Sequence, residues 1–505
     1  MFRPVAVRSQ TLLAGAALVA AAATTVVRPA AAQIAPQEYA DRRAALAADL
    51  PDGVTLALGA PEPEENYLSF NQSARFLYLT GIREPGAALV IVKRGRRVAP
   101  TLFVQPSDPS KEVWTGHRIG VAGAARLTGL PARPSGDLQK VLDSLLATGA
   151  SLHVVANVSE EGSPPAAEQD LVRGFAERHR RVGVDATPTA IVDRLRGQKS
   201  AAELDLIRRA VAITVDAQRE AIAAVKPGMN EFELQALIEY TFRRNGADRP
   251  SFSSIVGSGP NATTLHYNAD DRFMQPGDMV VMDVGASYRG YAADVTRSVP
   301  VSGKFTADQR AIYQLVRDAQ RAAESRAQIG STKQELADTA AATIAAGLAR
   351  LGLIESPTAT YDCAEEGQRS CPQYRLYYMH GLGHGIGLDV HDPDQYDDER
   401  IAVGSAFTIE PGVYVRANLL EILPDTRRNR ALAAKIGAAV ARYANIGVRI
   451  EDDYIATAHG VEWVSRAPRE ADEIEATIAA RASDALTRRD STKVEWYRKT
   501  EGLGP

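Results

Sequence analysis

The chain has 505 residues, with 58 Lys and Arg against 62 Asp and Glu, 45% hydrophobic residues, two cysteines and eight histidines. That is too long for one ordinary domain and too ordinary in composition for a disordered, collagen-like or disulfide-built protein. A net charge of -4 gives no basic field for a polyanion, which argues against nucleic acid as a partner, and two cysteines cannot form a four-thiolate cluster, so any metal site must use histidine and carboxylate.

At the N-terminus Arg3 and Arg8 precede an apolar run from Thr11 to Val27, followed by Pro29 and the small residues Ala30, Ala31 and Ala32. Positive start, short apolar stretch and small-residue exit read as a signal peptide over residues 1–32, cut after Ala32. The run is made of Ala, Thr and Gly rather than Leu and Ile, which argues against a membrane anchor. The expectation is an exported protein, periplasmic or secreted, with no stable membrane span once the leader is removed.

Residues 35–185 mix short β-like runs, such as Ala87 to Val92 and Ser151 to Val155, with helical stretches such as Leu138 to Leu146, as an α/β domain does. The texture changes near residues 183–196. Ser200 and Glu203 then form a capping box for a helix whose apolar residues recur at helical spacing up to Pro227-Gly228. Asn230 to Glu233 caps a second helix ending near Gly246. Thr306 to Gln309 and Ser331 to Gln334 mark another such pair, broken at Gly330 and running to about Gly352. Two units of paired helices, each followed by strands, predict an α+β domain over residues 195–475 with internal pseudo-two-fold symmetry.

Chemistry follows each unit. After the first, β-rich runs flank Ser287 to Gly290 as a hairpin, which sets Asp283 and Asp294 opposite or nearly opposite with Cβ atoms about 5 Å apart. Two carboxylates that close within apolar strands call for a cation between them. Cys363 and Cys371 lie eight apart in a polar stretch, where a local disulfide and two free thiols are both open readings. After the second unit, His380, His384 and His391 fall within twelve residues among Gly381, Gly383, Gly385 and Gly387, a spacing that forbids a stable helix and lets backbone approach a ligand. Glu410 ends a strand before Pro411-Gly412. Arg449 and Glu451 share one face of a strand. Together Asp283, Asp294, His384, Glu410 and Glu451 carry four negative charges, which two divalent cations would neutralise.

These segments resemble the pita-bread metallopeptidases, most closely the aminopeptidase P (Xaa-Pro aminopeptidase) family. Asn71 to Gly81, Glu112 to Arg118, Leu195 to Arg208, Ser253 to Tyr267, the hairpin, the histidine segment, Glu410-Pro411-Gly412 and Arg449 to Asp453 stand in that family's order. The resemblance implies a creatinase-like N-terminal α/β domain over 35–185, a pita-bread catalytic domain over 195–475 and a tail over 476–505. It implies two metal ions on Asp283, Asp294, His384, Glu410 and Glu451, with manganese expected and cobalt or zinc as alternatives. It further implies an enzyme that releases the N-terminal residue from peptides with proline second. Water activated by the metals attacks the carbonyl, Glu410 relays the proton, His380 steadies the oxyanion, His266 and His391 contact substrate, and Arg449, placed with the substrate-binding residues, anchors either the carboxylate shell or the downstream carbonyl. A prolidase-like dipeptidase is the nearest rival, and a peptide-binding protein without activity the remotest; a homo-oligomer is compatible with either. Residues 416–445 depart from a compact member, with an amphipathic helix over Leu432 to Val440 that lies beside the site in sequence; narrowing or covering the cleft and mere ornament are both open readings. Ile474 to Leu503 is expected to be a surface helix and tail.

Overall fold

The computed structural model describes residues 34–63, 70–155, 184–365, 368–393 and 400–480, together with 174 and 177. The expected leader over residues 1–32 and the chain beyond residue 480 lie outside the described residues. Among the described residues no helix is long and apolar enough to cross a membrane.

In the N-terminal half, Ala88–Arg94 pairs antiparallel with Gly53–Leu58 on one side and Arg97–Val104 on the other. Ala132–Pro134, Leu152–Val155 and Val184–Asp185 extend the six-stranded sheet in parallel. Period-two alternation sends Leu89 and Ile91 to one face and Ala88 and Val90 to the other. Helices Pro36–Asp49, Ala74–Thr80 and Gly120–Thr128 cover the first face through Leu46, Phe76 and Ala124. Leu138–Leu146 covers the second through Leu142 and Leu146. Burial on both faces gives the expected α/β layering.

A connector helix, Thr187–Gly197, leads into Ala201–Ala224, whose capping box forms as predicted: Glu203 N donates to Ser200 Oγ at 3.2 Å and Ser200 N to Glu203 Oε2 at 2.9 Å. Asn230 with Glu233 caps Glu231–Arg244, and Thr306 with Gln309 caps Ala307–Glu324. The fourth helix, Lys333–Arg350, starts one residue later than expected. Thr332, with extended backbone at φ -87° and ψ 152°, forms the box with Glu335, while Ser331 Oγ turns back to the Arg326 carbonyl.

Each helix pair is followed by a small antiparallel sheet. The first holds Ile255–Ser258, Met279–Val284 and Val295–Pro300; the second holds Ala406–Ile409, Asp452–Thr457 and Gly460–Trp463, with Gly412–Val415 and Ile446–Arg449 paired beside it. One apolar core, including Met282, Val299, Val316, Ile344, Ile409 and Val448, runs through both units.

Four local expectations change or resolve. The hairpin turns at Arg289 and Gly290, both at positive φ, so Asp283 faces Thr296 and the two aspartates are diagonal rather than directly opposite. Cys363 and Cys371 are joined as a disulfide across the Thr360–Asp362 and Ser370–Pro372 hairpin. The helix at 427–443 is longer than expected and packs Leu432, Ile436 and Val440 into the core next to that hairpin, so among the described residues none of it lines the cavity into which Asp283, Asp294, His384, Glu410 and Glu451 point. The last described helix, Ala471–Ala480, lies at the surface with one face packed: Asp472 and Glu473 are exposed, while Ile474 and Ile478 are buried in the core against Ala201–Ala224 and Ala307–Glu324.

Because Ile474 is fully buried, Ile474→Ala is expected to lower unfolding free energy by about 2–5 kcal/mol in chemical denaturation. A loss below about 0.5 kcal/mol would mean that this face of the helix is not packed.

Candidate metal centre

The two small sheets bring their strand ends to one cavity of about 510 Å³. It is lined by all nine residues singled out from sequence: His266, Asp283, Asp294, His380, His384, His391, Glu410, Arg449 and Glu451. Phe252, Ile255, Leu265 and Val390 supply an apolar part of the wall.

Local structure explains each position. Asp283 belongs to a strand buried along its whole length, and Asp294 precedes the next one. Backbone bonds from Thr408 N to His384 O at 2.9 Å and from Glu410 N to Leu382 O at 2.7 Å lay the histidine segment beside the Ala406–Ile409 strand. Gly383 permits that approach, because a Cβ there would sit 2.2 Å from the Thr408 carbonyl oxygen. Behind the site, the fully buried Arg297 donates to the carbonyls of Thr296 at 2.8 Å and Glu451 at 2.7 Å and pairs with Asp452 at 2.7 Å. This guanidinium ties the first sheet to the second at the backbone of the acids.

His384 Nε2 lies 3.5 Å from Asp294, 3.7 Å from Glu410 and 3.8 Å from Glu451. Its Nδ1 is 2.9 Å from the Gly385 carbonyl, which can only accept, so the proton sits on Nδ1 and a lone pair faces the three carboxylates. Buried oxygens of Asp283, Asp294 and Glu451 have no hydrogen-bond partner. Asp294, His384 and Glu451 offer ligand atoms all within 4.8 Å of one another. An imidazole lone pair and carboxylate oxygens converging in a buried space fit a divalent cation, since no donor competes for those oxygens of Asp283, Asp294 and Glu451.

The electrostatics agree. Burial, then Glu451, pushes the Asp294 carboxyl well above its usual range; burial and Glu451 do the same to Glu410. Burial, then Asp283, lifts Glu451 to about 7. The buried Arg449 offsets part of this charge, bonding Asp283, Tyr414 Oη at 2.7 Å and the Leu265 carbonyl at 3.2 Å. Of the two roles open to Arg449, these contacts favour the anchor of the carboxylate shell, behind Asp283.

Three neighbours escaped the sequence reading. Tyr414 Oη bridges Arg449 and His380 Nε2, the latter at 2.9 Å. Thr296 Oγ1 donates to Glu451 at 2.7 Å, and Asp453 accepts the Asp294 amide at 3.1 Å. Tyr414 lies four residues from Glu410 and Thr296 two from Asp294, so the period-two pattern could have found both. His380 Nδ1 is 2.7 Å from the Gly381 carbonyl and 3.7 Å from Glu410. Burial, reinforced by Arg449, pushes His380 down to about 3, which keeps the imidazole neutral.

Comparison with known proteins follows this geometry. The profile of metallopeptidase family M24 matches residues 205–458, and that of the aminopeptidase P N-terminal domain matches residues 39–155. The chain is 33% identical to an Xaa-Pro aminopeptidase of Haemophilus influenzae over 453 residues, covering 88% of this chain and 97% of that protein. It is 32% identical to an Xaa-Pro aminopeptidase of Escherichia coli over 467 residues, covering 89% and 99%. The solved structure of Escherichia coli aminopeptidase P with the inhibitor Pro-Leu aligns at a TM-score of 0.74 and 30% identity, again over 89% and 99% of the two chains. Pseudomonas aeruginosa aminopeptidase PepP aligns at 0.73 with 32% identity over the same shares.

The raised carboxyls set a pH dependence. Glu451 has a folded pKa above its unfolded value, so its contribution to stability is complete at low pH and is lost as pH rises through about 7. The melting temperature of metal-free protein should fall between pH 5.5 and 8, and added divalent cation should restore it most at the upper end. A metal-free melting temperature flat with pH would contradict this account.

Proposed function

The chain belongs to metallopeptidase family M24, and from that membership we propose that it is an aminopeptidase releasing the first residue of peptides whose second residue is proline. The observation that carries this reading is the convergence of Asp283, Asp294, His384, Glu410 and Glu451, with unpaired buried oxygens, in one cavity that also holds three further histidines. These five residues would hold two divalent cations. The oxygen-rich donor set with one imidazole favours manganese over cobalt or zinc. When bound, the ions would supply Lewis acidity and lower the pKa of water in the cavity.

The chain's own groups account for the rest. The unpaired oxygen of Asp283 is available to the substrate's free α-amine, which restricts cleavage to the N-terminus. Glu410 accepts the proton of the attacking water and passes it to the proline nitrogen as the C–N bond breaks. His380, neutral and held by Tyr414, presents the Nδ1–H that now faces Gly381 to the carbonyl oxygen as charge develops there. A proline nitrogen in a peptide bond bears no hydrogen, so selection rests on the shape of the wall. His266 and His391 meet the substrate backbone, and Leu265 and Val390 lie beside them. Export by the N-terminal leader is part of the same proposal.

The test is hydrolysis of an Xaa-Pro-Xaa panel by protein reconstituted with manganese, cobalt or zinc. Ala-Pro-Ala should lose alanine, with the highest kcat/KM in manganese; Gly-Pro cut while Gly-Pro-Ala stays whole would instead mark a dipeptidase. Asp294→Ala and Glu451→Ala should lose both metal and turnover. His380→Ala should lower kcat by about 100- to 1000-fold with metal content intact. Full turnover under chelator would remove the mechanism. For export, N-terminal sequencing of the protein recovered from its producing cell should begin at Gln33.

A further inference from the structure

Five charged side chains, Arg75, Asp193, Arg196, Lys199 and Asp392, form a line from the N-terminal half toward the catalytic cavity, and the mechanism above uses none of them. Arg75, on helix Ala74–Thr80, holds Asp193 of the connector helix by two bonds of 2.8 Å. Asp193 lies 3.9 Å from Arg196 Nη1. Arg196 Nη2 donates to Asp392 at 2.5 Å and to Asp389 at 2.7 Å. Lys199 approaches the other Asp392 oxygen at 3.0 Å and donates to the Pro393 carbonyl at 3.3 Å. Arg196, Lys199 and Asp392 are 1%, 5% and 5% exposed. Charges buried this deeply are costly unless each is matched, so their arrangement is tightly determined.

The line ends at a histidine. Gly385 and Asp392 form an antiparallel bridge that closes the loop between them, which leaves His384 and His391 flanking the bridge with ring centroids 4.2 Å apart. Asp392 also accepts the Asp389 amide at 3.0 Å within the loop. Its carboxylate fills the space that a side chain at Gly387 would occupy, 2.5 Å from the position of a Cβ there. The backbone on both sides of His391 is thus fixed by one carboxylate, and that carboxylate is fixed by the connector.

We propose that Asp392 is a positioning residue for His391, and that Arg196 and Lys199, backed by Arg75 and Asp193, make the seating of the N-terminal half a determinant of where that imidazole stands. The inference deepens the function proposed above and rests on its assignment of His391 to the substrate. Elements 190 or more residues apart in sequence act on one ring through alternating charge. The connector is then part of the site's scaffold as well as a link between halves.

The test is a double-mutant cycle read on Ala-Pro-Ala. Asp392→Asn should lower kcat/KM by about 10- to 100-fold, with metal content unchanged. In a His391→Ala background the same substitution should cost less than about threefold, while in a His380→Ala background it should keep its full effect. Arg196→Lys, which keeps one cationic nitrogen like the single Nη2 that meets both Asp389 and Asp392, should recover part of the loss caused by Arg196→Gln, and Lys199→Arg should be tolerated better than Lys199→Met. Asp193→Asn, at the less buried outer end, is the companion variant if Asp392→Asn does not fold; its smaller loss should also vanish in the His391→Ala background. Losses that multiply unchanged through His391→Ala would overturn the proposal. A second readout separates it from the functional reading: the imidazole resonance of His391 should shift in Asp193→Asn and Asp392→Asn while that of His266 stays in place. Wild-type protein inactive on every Xaa-Pro peptide, with those shifts present, would remove the substrate assignment and leave the positioning; an unmoved His391 resonance in folded variants would remove the positioning itself.

Discussion

Four carboxylates and one guanidinium share a cavity that water reaches only in part, and most of the catalytic half is organised around tolerating that concentration of negative charge. Like charges at this density push protons onto the acids unless cations replace them, which is why burial and mutual repulsion raise Asp294, Glu410 and Glu451 together. Arg449 is the chain's own contribution to neutrality. It sits against Asp283, and Tyr414 links it to His380, so the cation that steadies the acids also fixes a neutral imidazole. Removing the guanidinium would disturb both.

The proposed ligands come from both half-units, so the candidate centre exists only where two sheets meet. Asp283 and Asp294 belong to the first, Glu410 and Glu451 to the second, and the glycine-rich segment carrying His384 runs along the edge of the second. Arg297 holds the meeting point from behind, through backbone carbonyls of Thr296 and Glu451, while its charge faces Asp452 rather than the clustered acids of the cavity. The two guanidiniums thus divide the work: one holds the frame and one balances the charge.

Much of this was legible in the chain because its signals are local. Capping boxes at Ser200, Asn230 and Thr306 depend on residues three apart, and the acids declare themselves by standing inside apolar strands. The errors have equally local causes. Ser331 and Thr332 are both able to cap, and only backbone conformation chooses between them. The register of the aspartate hairpin depends on which two residues make the turn, and a turn at Arg289 and Gly290 moves the facing pair by two. Tyr414 was hidden because an aromatic in an apolar strand reads as core. The clamp on Asp392 could not be read at all: Arg196 and Asp392 lie far apart along the chain, and charged residues next to a helix end carry no mark of burial.

The disulfide between Cys363 and Cys371 lies away from the cavity, in the hairpin whose Asp362 accepts from Thr426 at 2.8 Å, the residue that caps the 427–443 helix. Thiol reductants and chelators therefore address different parts of the molecule. A reductant loosens the staple under a peripheral helix, whereas a chelator leaves that staple intact and exposes the acids to one another. Handling conditions that protect one feature are irrelevant to the other, and loss of activity on storage can be traced to its source by restoring oxidant and metal separately.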